Sequence, residues 1–227
     1  SMASPHVAAE AALIEALGIT NPAAVKAVLQ ATATRDGIPD LKIGFGAGIM
    51  NAGRAVRYAI LGTGAAQFAL ALALLYVCLT LARGGDYARF NPLALLAAIP
   101  ASCGLFFLPY LPQLGTWEIP YRDFLCRPLP AWDIHLLGLS QHANPLFYSA
   151  LLPLMFSLLL NRKHPWLQQL LIGFSVGYGA CILHLALSEQ AFVKWVPFSG
   201  AWLILNAALC VFIAVGLADA RRPQRSR

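Results

Sequence analysis

Apolar residues run in long, uninterrupted stretches through most of the chain, whereas polar and charged positions concentrate towards its two ends. Five stretches contain no Asp, Glu, Lys or Arg and approach the roughly 20 residues that a membrane-spanning helix requires. They are residues 58–82, 90–111, 141–160, 165–188 and 195–218. The pattern predicts a mainly α-helical fold built around a polytopic membrane domain of about five spans.

Prolines and glycines modify this prediction locally. Pro100 and Pro109 predict kinks in the second stretch, and Pro145 and Pro153 shorten the apolar core of the third. Membrane helices tolerate proline where neighbouring helices satisfy the freed carbonyl groups. Small residues permit close approach of helices in membranes, and such contacts are predicted at Gly62, Gly64, Gly173, Gly177 and Gly179.

The composition supports a membrane location for most of the chain. Of its 227 residues, 59% are apolar and 11% are charged, against about 25% charged in soluble domains. Residues 1–57 carry nine charges, residues 58–218 carry twelve and residues 219–227 carry five. A single soluble globule is therefore excluded, because it would expose too much apolar surface. We call these three parts the head, the body and the tail.

The distribution of basic residues predicts an orientation. The net charge is +6, but no Lys/Arg stripe indicates nucleic-acid binding. With the head outside, the inner segments carry eight basic residues and the outer loops carry three. The positive-inside rule then predicts a multi-pass cell-membrane protein with an extracytoplasmic head and a cytoplasmic tail. The arginines of the tail also suit anionic lipid, so membrane lipid is an expected partner.

The head begins with a serine-containing run, Ser1-Met2-Ala3-Ser4-Pro5-His6-Val7-Ala8. This run resembles the serine motif of the subtilisin-like serine peptidases (subtilases), in which Ser1 corresponds to the nucleophile. Segments beginning at Asn21, Ala31 and Gly44 are similar to those that follow in the family, the last to its closing Gly-x-Gly…Asn-Ala element. The resemblance implies that residues 1–57 are a helical C-terminal remnant of an α/β subtilase domain.

Local physics agrees with this organisation of the head. Asn21 followed by Pro22 predicts an N-cap and the first position of a helix. Ser1 lies where a helix begins, and the unpaired N–H groups there favour negative charge, including that of an oxyanion. Taken alone, the same position also suits a serine that merely caps the helix. The resemblance favours the nucleophile.

By the resemblance, the complete protein is a membrane-anchored serine endopeptidase that hydrolyses a polypeptide substrate through an acyl-enzyme, with Ser1 as the catalytic residue. A serine hydroxyl needs a base and a group that orients the base. In subtilases the Asp, the His and the oxyanion-hole Asn all precede the serine, and His6 belongs to the serine motif. We expect this chain to be a C-terminal piece that requires the N-terminal part of the peptidase domain as its partner. Alone it is predicted to be inactive, and no cofactor or metal is implied.

The body resembles no family that its residues identify, which leaves an alternative function open. In that alternative the body is a membrane sensor, docking or transporter-like module, and the head is a vestigial peptidase remnant. Three histidines, His135, His142 and His184, lie near the predicted outer ends of the spans, where ionisable groups are often functional. No H-x-x-x-H pair or carboxylate has metal-ligand spacing. Interfacial hydrogen bonding is the favoured interpretation, with a metal site or proton relay as the alternative.

Overall fold

The structure, a computed structural model, describes residues 1–17, 19, 21–35, 46–82, 92–111, 122–138, 140, 142–160, 164–188 and 193–219. The fold is mainly helical, as predicted. Within these residues, extended backbone pairs only in an isolated antiparallel bridge between Thr34 and Ile49. Outside them lie Gly44 and Phe45, most of the predicted tail and the basic segments at 83–91 and 161–163.

The head contains two helices, α1 (Ala3–Ala16) and α2 (Pro22–Thr32). The side chain of Asn21 accepts a hydrogen bond from the N–H of Ala23 at 2.9 Å, and Pro22 takes the first helical turn. The predicted cap is therefore confirmed. Beyond α2, the bridge between residues 34 and 49 brings the chain back towards the first long helix.

That helix, α3 (Ala52–Leu81), has 30 residues and joins the head to the body. Asn51 caps it by accepting a hydrogen bond from the N–H of Arg54 at 3.0 Å. The helix continues without a break across the head–body boundary predicted at residues 57 and 58. Ala55 and Ala59, in its first turns, form an apolar cluster with residues of the head: Ile14, Ile19, Val25 and Val28.

In the described part of the body there are six further helices and two short 3₁₀ turns, Leu108–Tyr110 and Leu129–Trp132. The helices are α4 (Pro92–Ser102), α5 (Arg122–Leu125), α6 (Asp133–Leu137), α7 (Leu151–Leu159), α8 (Pro165–Leu187) and α9 (Ser199–Asp219). Helix α8 lies at the centre of the body. In its most apolar 18-residue stretch 61% of the residues are buried, compared with 28% in α3 and 33% in α9.

Helix directions follow from the residues that meet along α8. Gln67 of α3 contacts Cys181, whereas Leu75 packs near Leu171, so α3 and α8 are antiparallel. Helix α4 runs parallel to α8, because its residues meet α8 in ascending order: Ala94 lies against Gly173 and Ala98 against Gly177. The N-terminal end of α3 and the C-terminal end of α8 thus share one end of the body, which we call the head side.

Three of the predicted spans correspond to helices long and apolar enough to cross a membrane, namely α3, α8 and α9. The second predicted span, over residues 90–111, is shorter than expected. Its helix ends at Ser102, after which Gly104 adopts a left-handed conformation with φ of 62°. The N–H of Leu105 then bonds to the carbonyl of Leu125 at 2.9 Å. The chain thus leaves the helix and pairs with the segment that contains Leu125. As a result, Pro109 lies in a 3₁₀ turn rather than at a kink.

The third predicted span, over residues 141–160, is also helical only in part. Residues 142–150 form turns, and α7 begins at Leu151. Two interactions of Asn144 account for this: its N–H bonds to Asp133 at 3.3 Å, and its side chain accepts from the N–H of Leu146 at 3.0 Å. A side chain that satisfies nearby backbone in this way competes with helix formation.

Candidate functional site

Ser1 is exposed and lies one residue before the N-cap of helix α1. Met2 occupies the N-cap position of the helix, which has no capping hydrogen bond from a side chain. The alternative in which Ser1 caps the helix is therefore wrong. The first N–H groups of α1 remain available for an external acceptor, as at any uncapped helix start.

His6 lies one turn further along α1 and is also exposed. Its Nδ1 donates to the carbonyl oxygen of Met2 at 3.0 Å. The imidazole is thus held against the turn of its own helix.

Helix α1 is attached to the rest of the chain mainly through its C-terminal half. Ile14 is fully buried, in the cluster with Ala55 and Ala59. In the N-terminal half the described side chains up to residue 9 are exposed, and Met2 is 84% exposed. A contiguous apolar helix surface of this kind is seldom left exposed in a folded soluble domain.

Glu10 is the one acidic side chain of the head that the described residues bury, at 2% exposure. Neither of its carboxylate oxygens has a hydrogen-bond partner among these residues. Burial raises the pKa of the Glu10 carboxyl above its ordinary value, because a charge is disfavoured where water is excluded.

A second polar cluster lies in the body and centres on Asp133 at the start of α6. The side chain of Asp133 is fully buried. One of its oxygens lies 3.1 Å from Nδ1 of His142, and the other accepts from the N–H of Asn144 at 3.3 Å. The ring of His142 is partly exposed and packs edge-on against Tyr148. A carboxylate in this position fixes the orientation of an imidazole and leaves its Nε2 as the accessible nitrogen.

The segment that carries His142 is held by side chains of the long helices. Tyr178 of α8 donates to the carbonyl of Phe147, and the indole N–H of Trp202 donates to the carbonyl of Tyr148 at 2.9 Å. Asn206 of α9 accepts from the N–H of Ala150 at 2.9 Å. Three side chains thus satisfy backbone groups that a helix would otherwise pair internally.

This irregular backbone lies well inside the body. Tyr178, which contacts the segment, is nine residues before the end of α8, or about 14 Å along the helix axis. Non-helical backbone at such depth is tolerated where protein buries it. The 3₁₀ turn Leu129–Trp132 supplies part of that cover, because it packs against both α4 and α8.

The structure separates the three histidines noted in the sequence. His135 lies on α6 and stacks edge-on against Phe124, whereas His142 lies in the turn region that precedes α7. They do not share one helix face. His184 is on α8, and its Nδ1 is buried without a hydrogen-bond partner in the described part of the chain. Among the described residues no three His, Cys, Asp or Glu side chains come together as metal ligands would.

The long apolar helices around α8 define a mainly helical protein, and within its described residues three helices are long and apolar enough to span a membrane. The family described as "Domain of unknown function (DUF5942)" matches residues 76–225. The chain belongs to this family. The match starts at Tyr76, in the last two turns of α3, and leaves the head outside. No curated protein and no solved structure matches the chain.

The sequence pattern singled out Ser1, as a predicted nucleophile, and His142, as one of three candidate histidines, but it did not single out Asp133. The available signal was weak: Asp133 is the only acidic residue between Asp123 and Glu189, within an otherwise apolar region. An isolated acid beside a predicted span is a candidate for burial with a partner. The partner itself depends on a turn that brings residues nine positions apart together, and helical periodicity does not predict that turn.

Proposed function

We propose that the chain is the C-terminal part of a membrane-anchored subtilisin-like serine endopeptidase. In this proposal Ser1 is the nucleophile, and the helical body anchors the peptidase domain. The observation that carries it is the exposed Ser1 ahead of an uncapped, largely uncovered apolar helix whose far end is fixed to a potential membrane span. The sequence resemblance supplies the reaction class.

The chemistry assigned to Ser1 requires two kinds of support. Its hydroxyl attacks a peptide carbonyl while a base removes the proton, an ester forms with the substrate acyl group, and the amine leaves with a proton. The free N–H groups at the start of α1 suit stabilisation of the negatively charged oxygen. We propose that the segment preceding Ser1 provides the His base, the Asp that orients it and the oxyanion-hole Asn.

The exposed apolar side chains of α1 are consistent with such a preceding segment. A subtilase domain encloses its serine helix, and here Met2, Val7 and Leu13 are 84%, 43% and 50% exposed. Covering these side chains on assembly would contribute about 25 cal/mol for each Å² removed from water. The N-terminal part of the peptidase domain is the partner that we propose for this surface.

We further propose that the body crosses the cell membrane five times, with the head outside and the tail in the cytoplasm. Because α4 is parallel to α8, it runs from the tail side towards the head side, as a second span would. With 11 and 9 residues, α4 and α7 extend only about 16 and 14 Å as helices, so turns complete both crossings. Whether the total is three or five crossings, the ends of the chain lie on opposite sides. Reporter fusions to the head and the tail test this, and labelling of both from one side would contradict it.

Labelling with a serine-reactive fluorophosphonate tests the proposed nucleophile. The protein is produced with the coding sequence upstream of Ser1, and in parallel as the present chain. We expect the longer product to be labelled and to hydrolyse peptides, the present chain to be inert, and Ser1→Ala to abolish both signals. Ser4→Ala is the matched control, because Ser4 is also exposed on α1. Labelling of the longer product that survives Ser1→Ala would refute the assignment, as would Ser1-dependent labelling of the present chain alone.

A second candidate function rests on the Asp133–His142 pair. In it the body acts as a membrane sensor or docking module, because a buried carboxylate inside a membrane domain is often functional. The pair would link α6 to the packing of residues 142–150. Binding of a head-side partner that Asp133→Asn removes, in protein carrying Ser1→Ala, would favour this candidate over the peptidase.

A further inference from the structure

The attachment of the head to α3 sets how far Ser1 can lie from the membrane. Helix α3 is 30 residues long, so its length is about 45 Å, whereas the hydrocarbon core of a bilayer is about 30 Å thick. About 20 residues fill the core. Counted back from the end at Leu81, these begin near Leu61. The preceding turns therefore stand in the headgroup layer.

The head packs on those protruding turns. Ala55 and Ala59 are 0% and 3% exposed, beneath side chains of α1 and α2. They lie two to six residues before Leu61, which is about 3–9 Å along the axis. No linker separates the head from the span, because α3 is one continuous helix. The body also contacts α3 at this height, because the guanidinium of Arg57 lies over the ring of Tyr110, 5.0 Å from the ring centroid.

The length of α1 then limits the height of Ser1. Ser1 precedes the buried anchor Ile14 by 13 residues, a distance of about 20 Å along a helix. Even if α1 stands upright, Ser1 lies no more than about 30 Å above the hydrocarbon edge. If α1 lies along the surface, Ser1 is nearer still.

We infer that the substrates are polypeptides anchored in the same membrane, cleaved in the stretch that emerges directly from it on the head side. This inference rests on the proposed peptidase function of Ser1. A stiff proline-rich stalk rises about 3.1 Å per residue, so the limit of about 30 Å corresponds to about ten residues. Segments within that distance are held near Ser1 by two-dimensional confinement, which raises their effective concentration.

The test uses the complete protein, with its upstream coding sequence, and a set of membrane-anchored substrates. One cleavable sequence is placed on proline-rich stalks of about 5, 10, 15 and 25 residues, which hold it about 16, 31, 47 and 78 Å from the membrane. We expect cleavage to be fastest at ten residues or fewer and at least about tenfold slower at 25. A soluble peptide with the same sequence measures the intrinsic activity, and Ser1→Ala gives the background.

A second variant moves Ser1 by a known distance. About eleven helix-forming residues inserted between Ile60 and Leu61 add three turns and raise the head by about 16 Å while nearly preserving its rotation. The preferred stalk should lengthen by about five residues, and hydrolysis of the soluble peptide should be unchanged. A Gly/Ser insertion of equal length is the matched control, and it should broaden the dependence on stalk length without a defined shift.

The outcomes separate the inference from the function on which it rests. Hydrolysis of the soluble peptide with no dependence on stalk length overturns the inference and leaves the peptidase assignment intact. So does a helical insertion that folds and cleaves the soluble peptide but leaves the preferred stalk unchanged. Absence of Ser1-dependent hydrolysis of every substrate, soluble and anchored, overturns the proposed function itself.

Discussion

The contact between α4 and α8 depends on two glycines, and replacing either one should separate the helices. A Cβ built on Gly173 would lie 2.6 Å from the carbonyl carbon of Ala94 and 2.8 Å from its Cα. A Cβ on Gly177 would lie 2.8 Å from the Cα of Ala98. These neighbours are backbone atoms, which cannot swing aside as a side chain can. The two helices must move as units.

The size of the effect follows from these distances. Ordinary contact begins at 3.4 Å, so Gly173→Ala requires the helices to separate by more than about 0.8 Å at this point, because the carbonyl oxygen of Ala94 lies closer still than its carbon. Overpacking of this kind costs about 1–3 kcal/mol of stability. This exceeds the gain from the higher helix propensity of alanine, which is about 1 kcal/mol relative to glycine. Gly177→Ala should cost somewhat less, because its nearest backbone carbon is further away. Gly64→Ala should cost least of the three, because it meets the ring of Phe106, a side chain that can rotate.

The assay is unfolding of the purified chain in mixed micelles, followed by loss of helical signal as denaturing detergent is increased. Gly62→Ala and Gly216→Ala are the matched controls, since a Cβ at either position meets nothing within 4 Å. We expect both controls to unfold at or above the wild-type midpoint, and Gly173→Ala and Gly177→Ala below it. If Gly173→Ala proves as stable as Gly216→Ala, the close packing of α4 on α8 is refuted.

Three further predictions concern the head and the polar cluster. Burial raises the pKa of Glu10, so above about pH 4.5 the folded head still holds a proton that the unfolded head releases. The free energy of unfolding of the head should therefore fall as the pH rises above that value. Glu10→Gln should remove this dependence in hydrogen exchange of α1, unlike Glu15→Gln at an exposed position. Asp133→Asn should destabilise the body by about 1–3 kcal/mol in the micelle assay, because the amide replaces one of two buried acceptors with a donor; equal stability would contradict this. Asn51→Ala should remove the α3 cap at a cost of about 0.5–2 kcal/mol and speed exchange in the first turn of α3, and unchanged exchange would count against the cap.

The sequence predicted the parts of the fold that depend on local pattern. The long charge-free runs predicted α8 to within one residue, and Asn21 with Pro22 predicted the start of α2. They located α3 and α9 as well, but α3 begins six residues before its predicted span and α9 begins four residues after the start of its own. The contacts predicted at Gly173 and Gly177 are confirmed, since both meet α4 backbone, whereas the contact predicted at Gly62 is wrong, since a Cβ there would meet no described atom within 4 Å. Each of these features depends on neighbouring residues or on one helix face, which periodicity captures.

The shorter helices α4 and α7 could not be predicted in the same way. Hydropathy alone does not distinguish a residue that continues a helix from one whose backbone is satisfied by a distant partner. Gly104 leaves the helix because the segment ending at Arg127 approaches so closely that a Cβ on Gly104 would lie 2.6 Å from its carbonyl carbon. Likewise, residues 142–150 stay irregular because Asp133, Tyr178 and Asn206 satisfy their backbone. These partners lie 11 to 56 residues away along the chain, so tertiary packing determines where the helices end.

The continuity of α3 gives the family match a physical meaning. Residues 76–225 recur as a family unit, yet the unit begins inside a helix whose other end carries the head. A helix cannot end abruptly in the middle of a bilayer, because its unpaired backbone groups would face hydrocarbon. Here the residues before Tyr76 continue the same helix, α3. In this chain that helix is capped by Asn51 and buries Ala55 and Ala59 against the head, so the head is joined rigidly to the body. In the proposed peptidase, a rigid junction would hold Ser1 at a fixed height above the membrane, whereas a flexible linker would leave that height variable.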